Sequence, residues 1–224
     1  MKRFAKTPHA VAAVALTIIT LTLSAPTSMG KDADQELAET LVRDGRIEDS
    51  ILACSLCHSE GGQGDVNFGF GNLTGQSEAY FTKQLKAFQT GEREHRVMQR
   101  VVKNLTERDI RALAKYYAGL SVAATEFEVY KVPPVGLKLA TEGDEARGLP
   151  ACDSCHAAEA ADGELAIANI NGQHSTYLIN QLVAWQMGQR DKDSVMADIA
   201  PKLSISEINA VAIYYATRKR TGGK

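Results

Sequence analysis

All four cysteines of this 224-residue chain sit in two copies of one pentapeptide, Cys54-Ser55-Leu56-Cys57-His58 and Cys152-Asp153-Ser154-Cys155-His156. Two thiols three positions apart, followed directly by an imidazole, form the pattern that attaches haem c. The thiols add across the two vinyl groups of one porphyrin, and the histidine is held under the iron. Zinc clusters place their second cysteine pair about 15–20 residues after the first, whereas here it starts 98 residues later. A thioredoxin-like pair needs a βαβ context, and the flanks of both motifs carry helical periodicity. The chain therefore reads as holding two covalent haem c groups, with Cys54, Cys57, Cys152 and Cys155 bonding the cofactor and His58 and His156 on the metal.

The motifs belong to a longer duplication. Gly75-Gln76, Tyr80, Gln84-Leu85, Ala87, Gln89, Gly91 and Arg93 recur 97 residues later, so that nine of the nineteen positions from 75 to 93 are identical in 172–190. Leu105, Ile110 and Tyr116-Tyr117 recur at a spacing of 98 as Leu203, Ile208 and Tyr214-Tyr215. Repetition on this scale means one structural unit used twice. Each unit carries the same helical signals. Residues 78–90 follow Ser77, a good N-cap, set Phe81, Leu85 and Phe88 on one face and stop at Gly91. Leu178, Leu182 and Trp185 repeat that face. Residues 107–118 align Ile110, Leu113, Ala114 and Tyr117, matched by Ile208, Val211, Ala212 and Tyr215, which defines amphipathic helices with a core stripe. Weaker patterns around Leu37–Val42 and Leu137–Ala146 place a helix before each motif. The fold class is all-α: two tandem units, 31–120 and 136–224, joined by a linker over 121–135 that Pro133-Pro134 keeps extended. Units of this size are small for self-sufficient stability, and haem supplies the missing core.

Residues 1–30 read as an export signal, with basic Lys2, Arg3 and Lys6, an apolar run from Val11 to Ala25 and small residues at Ser28-Met29-Gly30. That run is shorter than the ~20 residues that span a bilayer. Export suits thioether chemistry and places the protein in the periplasm, soluble or attached peripherally through an uncleaved N-terminus. Without the signal the chain holds 22 basic and 27 acidic residues, a formal charge of −5, which argues against a nucleic-acid partner. Within that balance residues 93–115 carry seven basic against three acidic residues, while 190–213 carry three and four. The basic stretch is either a steering surface for an acidic redox partner or a solvated helix face.

The sixth iron ligand separates carrier from catalyst, because a thioether raises the reduction potential and closes the site to substrates. After the signal the first half holds one methionine, Met98; in the second half Met187 and Met196 compete. Met196 is Met98 shifted by 98, whereas Met187 matches Thr90 and reads as a packing residue. Met98 and Met196 are therefore the expected ligands, each in a loop between the two helices of its repeat. His95 and His174 are the alternative distal ligands, but their counterparts are Asp193 and Ser77, outside the shared pattern.

Taken together, the haem motifs, Leu73-Thr74-Gly75-Gln76, Ile170-Asn171-Gly172-Gln173-His174, the Gly-x-Arg after the Tyr/Gln-Leu helix, the methionines and the Tyr-Tyr helix resemble the di-haem class I cytochromes c of the cytochrome c4 type, over nearly all of 31–220. The resemblance implies two haem domains about a pseudo-twofold, with propionate edges close to one another at their interface. It also implies single-electron transfer between a redox donor and acceptor, with a terminal oxidase or respiratory complex as typical acceptor, and no enzymatic activity. A haem subunit of a dehydrogenase complex and a di-haem peroxidase are the rival readings. The family's usual proline, whose carbonyl accepts the proximal His Nδ1–H, is replaced by Gly71 and Ala168, which leaves a carbonyl in place.

Overall fold

A computed structural model describes residues 32–122, 131–156 and 166–220. The proposed signal, residues 123–130 of the linker and the segment after the second motif lie outside them. The described residues are helical. They form isolated bridges such as Arg46–Ile51 and Arg93–Arg190 but no strand.

The first half is built from α1 (Ala33–Arg43), α2 (Ser55–His58), α3 (Glu78–Thr90), α4 (Arg96–Val102) and α5 (Glu107–Gly119). The second repeats it as α6 (Pro134–Thr141), α7 (Asp153–His156), α8 (Ser175–Gln186), α9 (Val195–Ile199) and α10 (Ile205–Ala216). Local chemistry sets the boundaries. Ser77 Oγ accepts from Tyr80 N to cap α3, which ends at Gly91 with φ 83°, a left-handed conformation that glycine adopts at little cost. Thr106 with Asp109, and Ser204 with Glu207, close reciprocal capping boxes on α5 and α10. Pro134 opens α6 at its first turn, where a missing N–H costs nothing, so the second half's helical structure begins inside the stretch expected to be linker.

Each half has its own core. α1, α3 and α5 bury Leu41, Phe81, Ile110 and Tyr117, and Phe81 stacks on Tyr117 at 5.4 Å. α6, α8 and α10 bury Leu139, Leu178, Ile208 and Tyr215. Burying a side chain such as Ile110 or Ile208, both fully enclosed, contributes about 1.5–3 kcal/mol. The predicted stripes on α3, α5 and α10 are the faces that pack. Met187 departs from expectation: it ends α8 at its C-cap, 65% exposed, because the chain turns away from the core at that residue.

The halves meet through reciprocal contacts. Gln76 clamps the backbone of Asn169 (Nε2 to O 2.7 Å, and its Oε1 accepting from N at 2.9 Å), and Gln173 clamps Asn72 in the same way at 2.8 and 2.7 Å. Glu94 N donates to Gln189 O and Asp191 N to Glu92 O, both at 2.7 Å. Contacts that recur with the two halves exchanged, together with the Arg93–Arg190 bridge in which counterparts meet directly, define a pseudo-twofold axis.

Candidate haem sites

Each motif forms a single helical turn hung from the helix before it. Cys54 N donates to Leu41 O and Cys152 N to Leu139 O, both at 3.3 Å; His58 N and His156 N bond back to Cys54 O and Cys152 O at 3.0 Å. The turn brings both cysteines and the histidine onto one short segment at the rim of the core. Gly71 and Ala168 supply the carbonyls that the sequence left in place: His58 Nδ1 lies 2.9 Å from Gly71 O, and His156 Nδ1 lies 2.8 Å from Ala168 O. A histidine that donates through Nδ1 presents the Nε2 lone pair to a metal and cannot rotate away. Burial pushes both imidazoles below their ordinary pKa, which keeps them neutral and able to ligate. Gly71 has its own reason to be glycine, since a Cβ there would lie 2.8 Å from the Tyr177 ring of the other half.

The cysteines are unsuited to the competing chemistries. Among the described residues no cluster of three or more His, Cys, Asp or Glu could hold a metal alone, and no disulfide joins any two of the four cysteines. Burial pushes the Cys54 and Cys152 thiols up to about 11, whereas a dithiol redox pair depends on a depressed thiol pKa.

Met98 and Met196 occupy equivalent places, each half-buried against the core of its own half. They stand in the short helices α4 and α9 rather than in the expected loops. Helices of seven and five residues are held by packing rather than by propensity, and so leave little periodic signal. His95 is the N-cap of α4, its Nδ1 accepting from Met98 N at 3.2 Å. His174 precedes α8 and its Nε2 lies 2.8 Å from Gln63 O in the first half. Of the tyrosines, Tyr117 and Tyr215 are buried as packing residues. Tyr215 Oη donates to Asp153 Oδ1 at 2.8 Å. Tyr117 Oη has the Cys54 thiol beside it but no hydrogen-bond partner of proper geometry among the described residues.

Sequence reasoning missed the centre of the interface. Arg93 and Arg190, 6% and 5% exposed, share acceptors across the axis. Arg93 reaches Gln84 Oε1 (2.7 Å), Tyr177 Oη (2.8 Å) and Gln181 Oε1 (2.5 Å); Arg190 reaches Gln181 Oε1 (2.8 Å), Tyr80 Oη and Gln84 Oε1 (both 3.1 Å). Arg220, 3% exposed, donates to the carbonyls of Thr74, Asn171 and Asn72. None of the three has a carboxylate partner in the described residues. Burial and the neighbouring Arg93 lower the Arg190 pKa, and burial brings Arg220 down to about 10. Buried guanidiniums with neutral acceptors only are costly, and the buried Asn72 Nδ2 nearby has no acceptor among the described residues. This donor set fits a cofactor that brings its own carboxylates, as haem does through its propionates. The signal was present in the sequence as the Arg93/Arg190, Tyr80/Tyr177 and Gln84/Gln181 identities.

No protein-family model matches the chain. It is 31% identical over 186 residues to the thiosulfate dehydrogenase electron acceptor of Stutzerimonas stutzeri, covering 80% of this chain and 85% of that one. It is 32% identical over 165 residues to cytochrome c4 of Pseudomonas aeruginosa, covering 72% and 81%. Among solved structures it superposes on reduced cytochrome c4 of Pseudomonas stutzeri with a TM-score of 0.69 and 27% identity, over 84% of this chain and all of that one. It also superposes on the thiosulfate dehydrogenase TsdBA of Marichromatium purpuratum with a TM-score of 0.73 and 33% identity, over 83% of this chain but only 40% of that longer protein. Repeated motifs, paired cores, a pseudo-twofold interface and these likenesses agree: the chain belongs to the cytochrome c4 family of di-haem class I cytochromes c, proteins that transfer electrons.

Proposed function

We propose that the protein is a periplasmic carrier that takes single electrons from a dehydrogenase and passes them toward a terminal oxidase, through two covalently attached haem c groups. The observation that carries this reading is the twofold repetition of one arrangement: a motif histidine fixed through Nδ1, and a methionine on the same core. Haem c supplies reversible one-electron iron chemistry. Cys54 and Cys57 hold one group, and Cys152 and Cys155 the other. His58 and His156 offer Nε2 to the iron, with their Nδ1 protons held by Gly71 and Ala168. Met98 and Met196 would supply a second protein ligand to each iron and leave no open position for a substrate, which disfavours a peroxidase. Arg93, Arg190, Arg220 and Asn72 Nδ2 would hold the carboxylates of the cofactor, so that each buried guanidinium would gain the anion it lacks. Residues 1–30 direct export, and among the described residues no helix is long and apolar enough to cross a membrane.

The relatives' names support a dehydrogenase as donor, since two of them are called electron acceptors of thiosulfate dehydrogenase. The fused TsdBA neighbour favours a second reading, a haem subunit held permanently on such an enzyme. Purification under native conditions separates the two: a free carrier elutes alone and takes up two electrons reversibly per chain, whereas a subunit copurifies with a dehydrogenase. Rapid turnover of hydrogen peroxide by the purified protein would contradict both.

A further inference from the structure

The surface around the first haem motif differs from that around the second in a consistent direction. Ile47, Leu52 and Leu56 are 84%, 57% and 71% exposed, the first two in the turn-rich stretch that leads into the motif and Leu56 within the motif itself. Their counterparts 98 residues on are Glu145, Pro150 and Ser154, so the apolar character is confined to the first copy. Exposed apolar side chains gathered beside a functional site mark a contact surface more often than isolated ones do. Among the described residues the second half's own exposed large apolar residues lie on α6 (Val135, Leu137), at the end of α8 (Met187), on α9 (Val195) and on α10 (Ile205), none of them within the stretch that precedes its motif or in the motif itself.

The charges follow the same asymmetry. A shallow concavity is lined by Glu94, Arg96, Val97, Arg100 and Lys103 of the first half together with Gln189 of the second. Arg96, Arg100 and Lys103 make no ion pair among the described residues, unlike Lys86, Arg108 and Lys115 of the same half, which are bound to Glu107, Asp34 and Asp32. Their counterparts are Ser194, Asp198 and Pro201. The two patches adjoin: Asn104, next to Lys103, donates through Nδ2 to Asp49 O, two residues from Ile47, at 2.6 Å.

Building on the carrier reading above, we propose that residues 47–56 and the basic flank of α4 form the docking face through which the protein exchanges electrons, and that its partner presents an apolar patch ringed by carboxylates. The apolar stretch excludes water at contact, and the unpaired cations steer an acidic protein onto it. The second copy, polar and acidic at the same places, is the inner site that electrons reach through the first.

Reduced flavodoxin, an acidic flavoprotein, is a suitable probe. Each transfer oxidises its flavin hydroquinone to the semiquinone and reduces one ferric haem. Stopped-flow reduction of the full di-haem protein is expected to slow with rising salt, to fall about tenfold in the double variant Ile47→Glu/Leu56→Ser, and to lose most of its salt dependence in Arg100→Asp. A second-half variant outside the motif, Glu145→Ala/Pro150→Ala, keeps the wild-type rate. Dithionite, which needs no docking, reduces every variant fully and so controls for intact haem. An unchanged rate in the first double variant, an equal loss in the second-half variant, or no flavodoxin reaction in a dithionite-reducible wild type would overturn the docking face. So would concentration-dependent dimers that the first double variant abolishes, since the face would then join two copies of this chain. A wild type that dithionite leaves unreduced would instead bring down the carrier reading itself.

Discussion

The two halves share a skeleton but reach it with different residues, and the differences sort by depth. Beneath each haem motif an arginine braces the last helix of its half, yet it stands at different places. In the first half Arg46 bonds Asp109 at 3.0 and 2.8 Å and also pairs with Asp49; in the second Arg147 bonds Glu207 at 2.6 Å and Asp144 at 2.7 Å. Positions 46 and 49 thus exchange their charges in 144 and 147, while the network and its anchoring capping-box acid persist. The Tyr-Tyr helices show a second trade. Asp153 satisfies Tyr215, but its counterpart Ser55 makes no such bond, and Tyr117 Oη has only the Cys54 thiol beside it among the described residues. The motif cysteines and histidines and the Arg93/Arg190, Tyr80/Tyr177 and Gln84/Gln181 groups on the pseudo-twofold axis are kept as identical residues, as are core positions such as Ile110/Ile208, whereas the braces keep their network while trading residues.

Removing the thiols of one copy gives the largest effect. Cys54→Ala/Cys57→Ala and Cys152→Ala/Cys155→Ala are each expected to halve the covalently bound haem per chain, read as a pyridine haemochrome. Loss of both haems from either variant would show that the copies do not mature independently.

Next come the axial arginines. If propionates neutralise them, Arg93→Gln or Arg190→Gln in the haem-loaded protein leaves a buried carboxylate unpaired and costs about 3–5 kcal/mol in denaturant unfolding, with a fall in at least one reduction potential. Equal stability in variant and wild type would mean that no anion sits on the axis.

The braces differ in depth, since the Asp109 side chain is 2% exposed and that of Glu207 15%. Burial works to raise the Asp109 carboxyl, but its bonds to Arg46 and Thr106 outweigh that and hold it below the usual aspartate range. The Arg147 hydrogen bond pulls Glu207 down to about 2. Carboxyls depressed in this way stabilise the fold above their unfolded pKa and lose that contribution as pH falls through the folded value. Arg46→Gln is thus expected to cost about 3 kcal/mol at neutral pH and Arg147→Gln less. Both differences should shrink as acid unfolding proceeds from the ordinary carboxylate range toward pH ~2. The tyrosines give the smallest effect: Tyr215→Phe costs about 1–3 kcal/mol through its bond to a charged partner, whereas Tyr117→Phe is neutral or stabilising.

Much of this was legible in the chain because period and repetition report packing. The stripes Ile110–Tyr117 and Ile208–Tyr215 are buried as read, and α3 ends at Gly91 as its residue type requires. The helices around Met98 and Met196 were read as loops because one or two turns give periodicity nothing to act on. The Gln76/Gln173 clamps, the arginines on the axis and Arg220 were hidden for another reason. They act between halves, and a local pattern cannot show which long-range neighbour a polar side chain will find. Gly71 makes the same point, since its lack of a side chain is explained by Tyr177, more than a hundred residues away.

Near-infrared magnetic circular dichroism of the oxidised protein tests the central claim most directly, because the thioether-to-ferric-iron transition can be counted per chain. The structure leads us to expect two equivalents in the wild type and one after replacing either Met98 or Met196 by alanine. A single equivalent in the wild type, or a bis-histidine band in its place, would contradict it.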